Sequence, residues 1–213
     1  MNLRDFLIGC ALLGALGWWI SSAGSRGEEV ADAAVARPGC PLPPAVASGE
    51  PPLQSDVPGG LSPFVLDAAS LRPLAGFSIE ARVLSREDYR IGREADLSPT
   101  DLALGWQRMA EDGVLSGLEV SQSSRWYRYR WRDQPPLPPR EIARSSANMH
   151  MIPASAAVAE ALAGVEQGDE VRIDGWLVEA STTDGWRWRS STTRTDTGGG
   201  SCEVVYVCSL QRR

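Results

Sequence analysis

The chain predicts an α+β fold: a small β-barrel-like domain, OB-like in the first form considered, with two short helices. An N-terminal transmembrane helix and a disordered linker precede it. Three observations predict this. Phe6–Ile20 is an unbroken apolar run. Residues 28–63 are dominated by Ala, Pro, Gly and Ser. From Phe64 on, short alternating apolar stretches are interrupted by capped helical segments and glycines, the pattern of short, strongly bent strands.

The apolar run F-L-I-G-C-A-L-L-G-A-L-G-W-W-I, extendable through Ala23, lies at the lower edge of what spans a bilayer and also suits the core of a signal peptide. Trp18 and Trp19 close it, where indoles favour the membrane interface. The amino terminus and Arg4, offset by Asp5, precede the run, and Arg26, Glu28 and Glu29 follow it, a small charge asymmetry that favours an N-inside, C-outside orientation. The expected arrangement is a single pass of a bacterial inner membrane, with residues 1–27 as anchor and the C-terminal domain on the periplasmic side. A signal cleaved near Ser21–Ala23 remains the alternative. Residues 28–63 cannot bury enough apolar surface to offset their ordering entropy. Their prolines favour extended polyproline II, so they are expected to form a semi-rigid spacer.

Residues 64–213 form the expected globular domain. Phe77–Leu84 alternates Phe77, Ile79, Ala81 and Val83 with polar residues, a half-buried strand. Ser98-Pro99-Thr100-Asp101 resembles a helix start, with Leu102, Trp106 and Met109 on one face and Gly113 as the stop. Arg125–Arg132, R-W-Y-R-Y-R-W-R, is a strand with Tyr127, Tyr129 and Trp131 on one side. Trp126, Arg128, Arg130 and Arg132 share the other. Ser155 caps a second helix that aligns Val158, Leu162 and Val165, and Gly168 ends it. Gly175 shifts the apolar phase from Val171 and Ile173 to Trp176 and Val178, as a bulge would. Trp186 and Trp188 oppose Arg187 and Arg189 on the next strand, and Cys202–Val207 is the last.

The net charge is −6 and the pI about 4.9, which disfavours non-specific binding to nucleic acid. All 21 basic residues are Arg. Six of them fall between Arg125 and Arg144 against only Asp133 and Glu141. Arg faces interleaved with Trp stack on rings and bind anions. The candidate ligand-binding residues are therefore Trp126, Arg128, Arg130, Trp186, Arg187, Trp188, Arg189 and Arg194. A solvated sheet face paired to nearby acids is the competing explanation. In T-D-T-G-G-G-S (Thr195–Ser201) the glycines either cradle an anion or make a hairpin turn. A Cys-dependent hydrolase or transferase can also be drawn, with Cys202 as nucleophile, His150 as base and Asp196 as its orienting group. The single histidine excludes multi-His zinc sites, and no cofactor is expected. In an exported chain the cysteines favour disulfides. Cys202 and Cys208 lie too far apart along one strand to pair, and Cys40 can reach either.

S-A-N-M-H-M-I-P-A (Ser146–Ala154), W-R-S-S-T-T-R-T-D-T-G-G-G-S-C-E (Trp188–Glu203) and L-S-P-T-D-L-A-L-G-W (Leu97–Trp106) carry a resemblance to a group of uncharacterised bacterial proteins. These have an apolar N-terminus and one globular domain. The resemblance implies a single domain and brings no activity, cofactor or catalytic residue. The functional expectation is a membrane-tethered, non-catalytic binding or interaction protein of the cell envelope. Its ligand would be an anionic glycan, a lipid headgroup or an acidic partner protein; a structural subunit of an envelope complex is a further alternative.

Overall fold

The computed structural model describes residues 40–213 apart from 68 and 194–200, all within one compact unit spanning Ala34–Arg213. The apolar run and the first part of the expected linker lie outside the described residues. Among the described residues, no helix is long and apolar enough to cross a membrane. Strands hold 45% of these residues and helices 16%, so the class is mostly β rather than an even α+β mixture.

Among the described residues, ten strands occur: β1 Leu53–Ser55, β2 Phe64–Leu66, β3 Ala69–Asp88, β4 Thr100–Gly105, β5 Glu119–Ser123, β6 Trp126–Arg130, β7 Ser146–Pro153, β8 Glu170–Ser181, β9 Arg187–Arg189 and β10 Glu203–Arg212. Four short helices accompany them, two more than expected: α1 Arg93–Leu97, α2 Asp112–Leu115 (one turn after a 3-10 turn at Gln107–Ala110), α3 Pro139–Arg144 and α4 Ala156–Ala163. Strands β3, β4, β7, β10 and β8 pair in that order, and β8 pairs back to β3, so the sheet closes into a ring. Every pairing in the ring is antiparallel except β7 with β10, which is parallel. A parallel pair needs a crossover. After β7 the chain runs through α4 and β8 before β10 returns beside it.

The interior of the ring is apolar. Phe77 and Ile79 from β3, Leu102 and Leu104 from β4, Met149 and Met151 from β7, Ile173 and Leu177 from β8, and Val205 and Val207 from β10 form one cluster. Helix α4 adds Val158 and Leu162 to it. Its start follows the sequence reading, for the Ser155 hydroxyl accepts the Val158 amide at 3.2 Å. The long strand β3 bends twice, at register shifts between Pro73 and Ala75 and between Val83 and Ser85. The first shift stands beside the proline that cannot donate to the ladder.

The irregularity expected at Gly175 falls on its neighbour instead. Strand β10 bulges between Val207 and Ser209 opposite Gly175 and Asp174. The glycine permits the close crossing there, because a Cβ at 175 would collide with the Tyr206 carbonyl. Gly175→Ala is therefore expected to cost at least the ~1–3 kcal/mol of an overpacked site, measurable by urea denaturation; an unchanged midpoint would mean that β10 yields freely.

Two further sequence expectations are corrected. The helix read from Ser98 is strand β4. Thr100, Leu102 and Leu104 alternate with Asp101 and Ala103, and every residue from Thr100 to Gly105 is buried, which a two-sided strand tolerates and an amphipathic surface helix does not. Ser98 instead ends α1, donating its amide to the Glu94 carbonyl. The spacer expected over 28–63 is not free from Cys40 on. It lies along the sheet as a strap. Cys40 is disulfide-bonded to Cys208, Pro41 O accepts the Trp176 indole N–H at 2.9 Å, and the Val46 amide donates to Ser78 Oγ at 2.8 Å. Leu53–Ser55 pairs with Ser78–Gly76 of β3. Gly76 leaves room for the strap, since a Cβ there would meet Pro43 and Ser55. Burial alone would raise the Glu80 carboxyl, but Ser48 of the strap, Arg213 and Arg172 together hold it below its usual range. The composition argument failed because the strap borrows its partners: the sheet face beneath it supplies apolar surface and hydrogen bonds that the strap's own sequence lacks.

Candidate functional site

Between β4 and β7 the chain inserts the hairpin β5–β6, which packs on the outside of the ring. Its inner side is Val120, Gln122, Tyr127 and Tyr129; its outer side is Ser121, Ser123, Trp126, Arg128 and Arg130. The alternation expected for Arg125–Arg132 is thus present. Val120, Tyr127, Tyr129 and Trp131 pack on Leu84, Ala103, Met109 and Ile142. Tyr127 and Tyr129 lie 5.7 Å apart, and Trp131 stacks on Tyr129 at 6.3 Å. Burial, opposed only in part by the Ser146 hydroxyl, pushes the Tyr127 phenol up to about 12. A raised folded-state value leaves the contribution intact below the unfolded value near 10 and removes it as pH climbs toward 12. Stability should therefore fall between about pH 10 and 12, and Tyr127→Phe should flatten that fall in pH-dependent urea titrations.

The hairpin turns at Ser124 and Arg125, both left-handed with φ of 52° and 67°. Paired positive φ values match the twist of the flanking strands, but Asn-Gly is the usual choice. The arginine is held by what it touches. Its amide donates to Tyr89 Oη at 2.8 Å, its carbonyl accepts from Asn148 Nδ2 at 3.0 Å, and its guanidinium lies 3.9 Å over the Tyr89 ring. Arg125 Nη1 also donates to Asp101 Oδ1 at 2.6 Å. Asp101 is fully buried. It faces His150 across the β4–β7 register, with His150 Nδ1 at 2.9 Å from Oδ1. That is ion-pair distance, but the ring is not turned to make a hydrogen bond along it. Asn148 Nδ2 completes the carboxylate at 3.2 Å, and Gln122 Nε2 donates to Asn148 Oδ1 at 2.6 Å.

A ladder of rings and guanidinium groups runs from this cluster to β9. Trp188 lies 4.8 Å from His150, Arg125 stands 5.6 Å over Trp188, Trp186 is 6.2 Å from Trp188, and Arg93 stands 5.5 Å over Trp186. Trp186, just before β9, and Trp188 within it therefore face inward, where the protein's own arginines occupy them. Arg187 and Arg189 point the other way. Arg189 is bound to Glu179 at 3.0 Å, and Arg72 holds the same carboxylate at 2.9 Å.

The eight candidate ligand residues thus divide. Trp126, Arg128 and Arg130 form one exposed face. Trp186 and Trp188 belong to the ladder. Arg187 and Arg189 lie on the opposite side of β9, and Arg194 lies outside the described residues. Asp196 of the proposed catalytic set lies outside them too; among the described residues, the carboxylate beside His150 is Asp101. Cys202 is outside the disulfide and half-buried. With its side chain only 4% exposed, His150 is shut behind Trp188. Among the described residues, no group of three or more His, Cys, Asp and Glu side chains could hold a metal ion.

No family model, curated protein or solved structure matches this chain. Its chemistry is therefore argued from its own residues. Sequence reasoning missed Asp101, Arg125, Asn148, Gln122 and Tyr89 as a group. The one local signal was the turn itself: Ser-Arg between two alternating strands, where turn chemistry would place Asn-Gly.

Proposed function

We propose that this protein is a membrane-tethered, non-catalytic binding protein of the cell envelope, and that it presents the outer face of the β5–β6 hairpin to an anionic ligand. The observation that carries the proposal is the composition of that face. Trp126 is 41% exposed, and Arg128 and Arg130 follow it on the same side of β6. The cross-strand partners are Ser123, Ser121 and Glu119. An open aromatic face with guanidinium forks beside it suits an anionic group attached to a ring or chain. The ring is taken to be a small barrel of the OB type. The closed five-strand order, the parallel β7–β10 pair and the helix between β7 and β8 support this. In such barrels, the second and third strands and the loops at one end bind polymers; here the hairpin rises from the connection between those two strands.

Anchoring by the N-terminal apolar run and residence on the periplasmic side are part of the proposal. The Cys40–Cys208 bridge supports export, because disulfides persist in oxidising compartments. The test is binding of the full chain in detergent to purified peptidoglycan, to vesicles containing anionic lipid, and to an acidic polypeptide. Trp126→Ala and Arg128→Ala should each weaken the productive interaction tenfold or more. Both sites are exposed, so stability should stay within about 0.5 kcal/mol. Unchanged binding in both variants would end this proposal. A Cys-dependent enzyme predicts instead a low-pKa thiolate, which fast alkylation of Cys202 near neutral pH would reveal.

A further inference from the structure

At the open end of the hairpin, where β5 begins and β6 ends, lies a cleft of about 440 Å³ walled by Ser116, Glu119, Trp131, Arg132, Asp133 and Gln134. We infer that this cleft is a sugar subsite and that the hairpin's outer face leads a glycan chain of alternating anionic and neutral units into it. The inference rests on the binding role proposed for that face and narrows its ligand.

Three observations carry it. The first is continuity. Glu119 closes the row of outward pairs Ser123–Trp126, Ser121–Arg128 and Glu119–Arg130, and it also walls the cleft. Arg130 at 2.7 Å and Arg132 at 3.6 Å both hold its carboxylate, so the face and the cleft share one set of charges. The second is extent. Trp126 and Arg130 are separated by about 13 Å along the strand at ~3.3 Å per residue, and the cleft continues beyond Arg130. A ligand touching Trp126 and the cleft must be an extended chain rather than a single headgroup. The third is the change of chemistry along this path. At the tip, a Trp ring and arginines suit a pyranose ring and a carboxylate. In the cleft, the carboxylates of Glu119 and Asp133 balance the charges of Arg130 and Arg132, so nothing there favours an anion, while the planar groups of Arg132, Asp133 and Gln134 offer donors and acceptors and the Ser116 hydroxyl, which donates to Gly113 O, offers an acceptor. These suit the neighbouring hydroxyls of an uncharged sugar, with Trp131 as the apolar wall.

The test uses the full chain in detergent and oligosaccharides that alternate glucuronate with an N-acetylated amino sugar, in lengths of two, four, six and eight units. Affinity should rise at least tenfold between the shortest and the six-unit chain and then level off. Asp133→Ala and Gln134→Ala should weaken the six-unit chain about tenfold and leave the two-unit chain unchanged. Trp126→Ala should weaken both. A length-independent affinity, or cleft variants that bind the six-unit chain normally, would overturn the inference even if Trp126→Ala still weakened binding; the binding role of the face would then survive alone. Binding only to anionic vesicles would likewise overturn the glycan while sparing the face. Loss of every interaction in the unmodified protein would remove both.

Discussion

Removing the Cys40–Cys208 bridge is expected to be among the most damaging changes to this protein. The bridge spans 168 residues, and closing a loop of that length in the unfolded chain is worth ~5 kcal/mol in the chain-entropy account. Its other end is in the wall of the fold, for Cys208 is fully buried beside Tyr206 and Trp176 in the cluster that Cys40 itself helps cover. Cys40→Ala removes the bridge from the strap side without emptying that wall. Its urea midpoint should drop by the equivalent of about 3–5 kcal/mol, and reductant should leave the variant unaffected while lowering the parent toward it. The strap keeps its hydrogen bonds to Ser78 and Trp176 in the variant, so release should be partial. A parent whose stability is insensitive to reductant would show that the bridge does not form in the isolated protein. Because the bond survives only where oxidation is maintained, the same measurement bears on the proposed periplasmic location.

Breaking the Asp101–Arg125 pair should have a comparable effect on stability. Asp101 is fully buried and the Arg125 side chain is only 19% exposed. Removing one member of a buried pair strands the other, at about 3–5 kcal/mol. Arg125→Gly isolates the point. Glycine relieves the left-handed backbone at this position, yet the variant should still lose stability, because the buried carboxylate then keeps the Asn148 amide as its hydrogen-bond donor without the guanidinium. Asp101→Asn combined with Arg125→Gly should cost less than the sum of the two single changes, as a double-mutant cycle in urea would read. Additive losses would mean that the contact with Tyr89, rather than the ion pair, holds the hairpin tip. Since the tip carries Trp126, Arg125→Gly should also weaken ligand binding without touching a residue of the proposed face.

Periodicity read one set of features correctly. The face alternation of Tyr127 and Tyr129 against Trp126, Arg128 and Arg130, the Ser155 cap and the buried stripe of α4 each depend on residues a few positions apart. The same locality misled at Ser98-Pro99-Thr100-Asp101, where a cap-like tetrapeptide outweighed the alternation of a strand buried on both sides. Burial on both faces was invisible, because the cover for β4 comes from β5–β6 and from the ring interior, both distant in sequence.

The residue pattern alone determined that the domain would be strand-rich, that a short capped helix would interrupt it, and that Trp126, Arg128 and Arg130 would share a side. These follow from local backbone periods and from where apolar side chains must go. Only the tertiary structure decided that Cys208, not Cys202, takes Cys40, that the proline-rich strap lies down on the sheet, and that Asp101 stands beside His150. It also decided that Trp186 and Trp188 are covered by the protein's own arginines. Each of those outcomes depends on which distant strands become neighbours, and a buried carboxylate or a ring face takes whatever partner that pairing brings within about 3–6 Å.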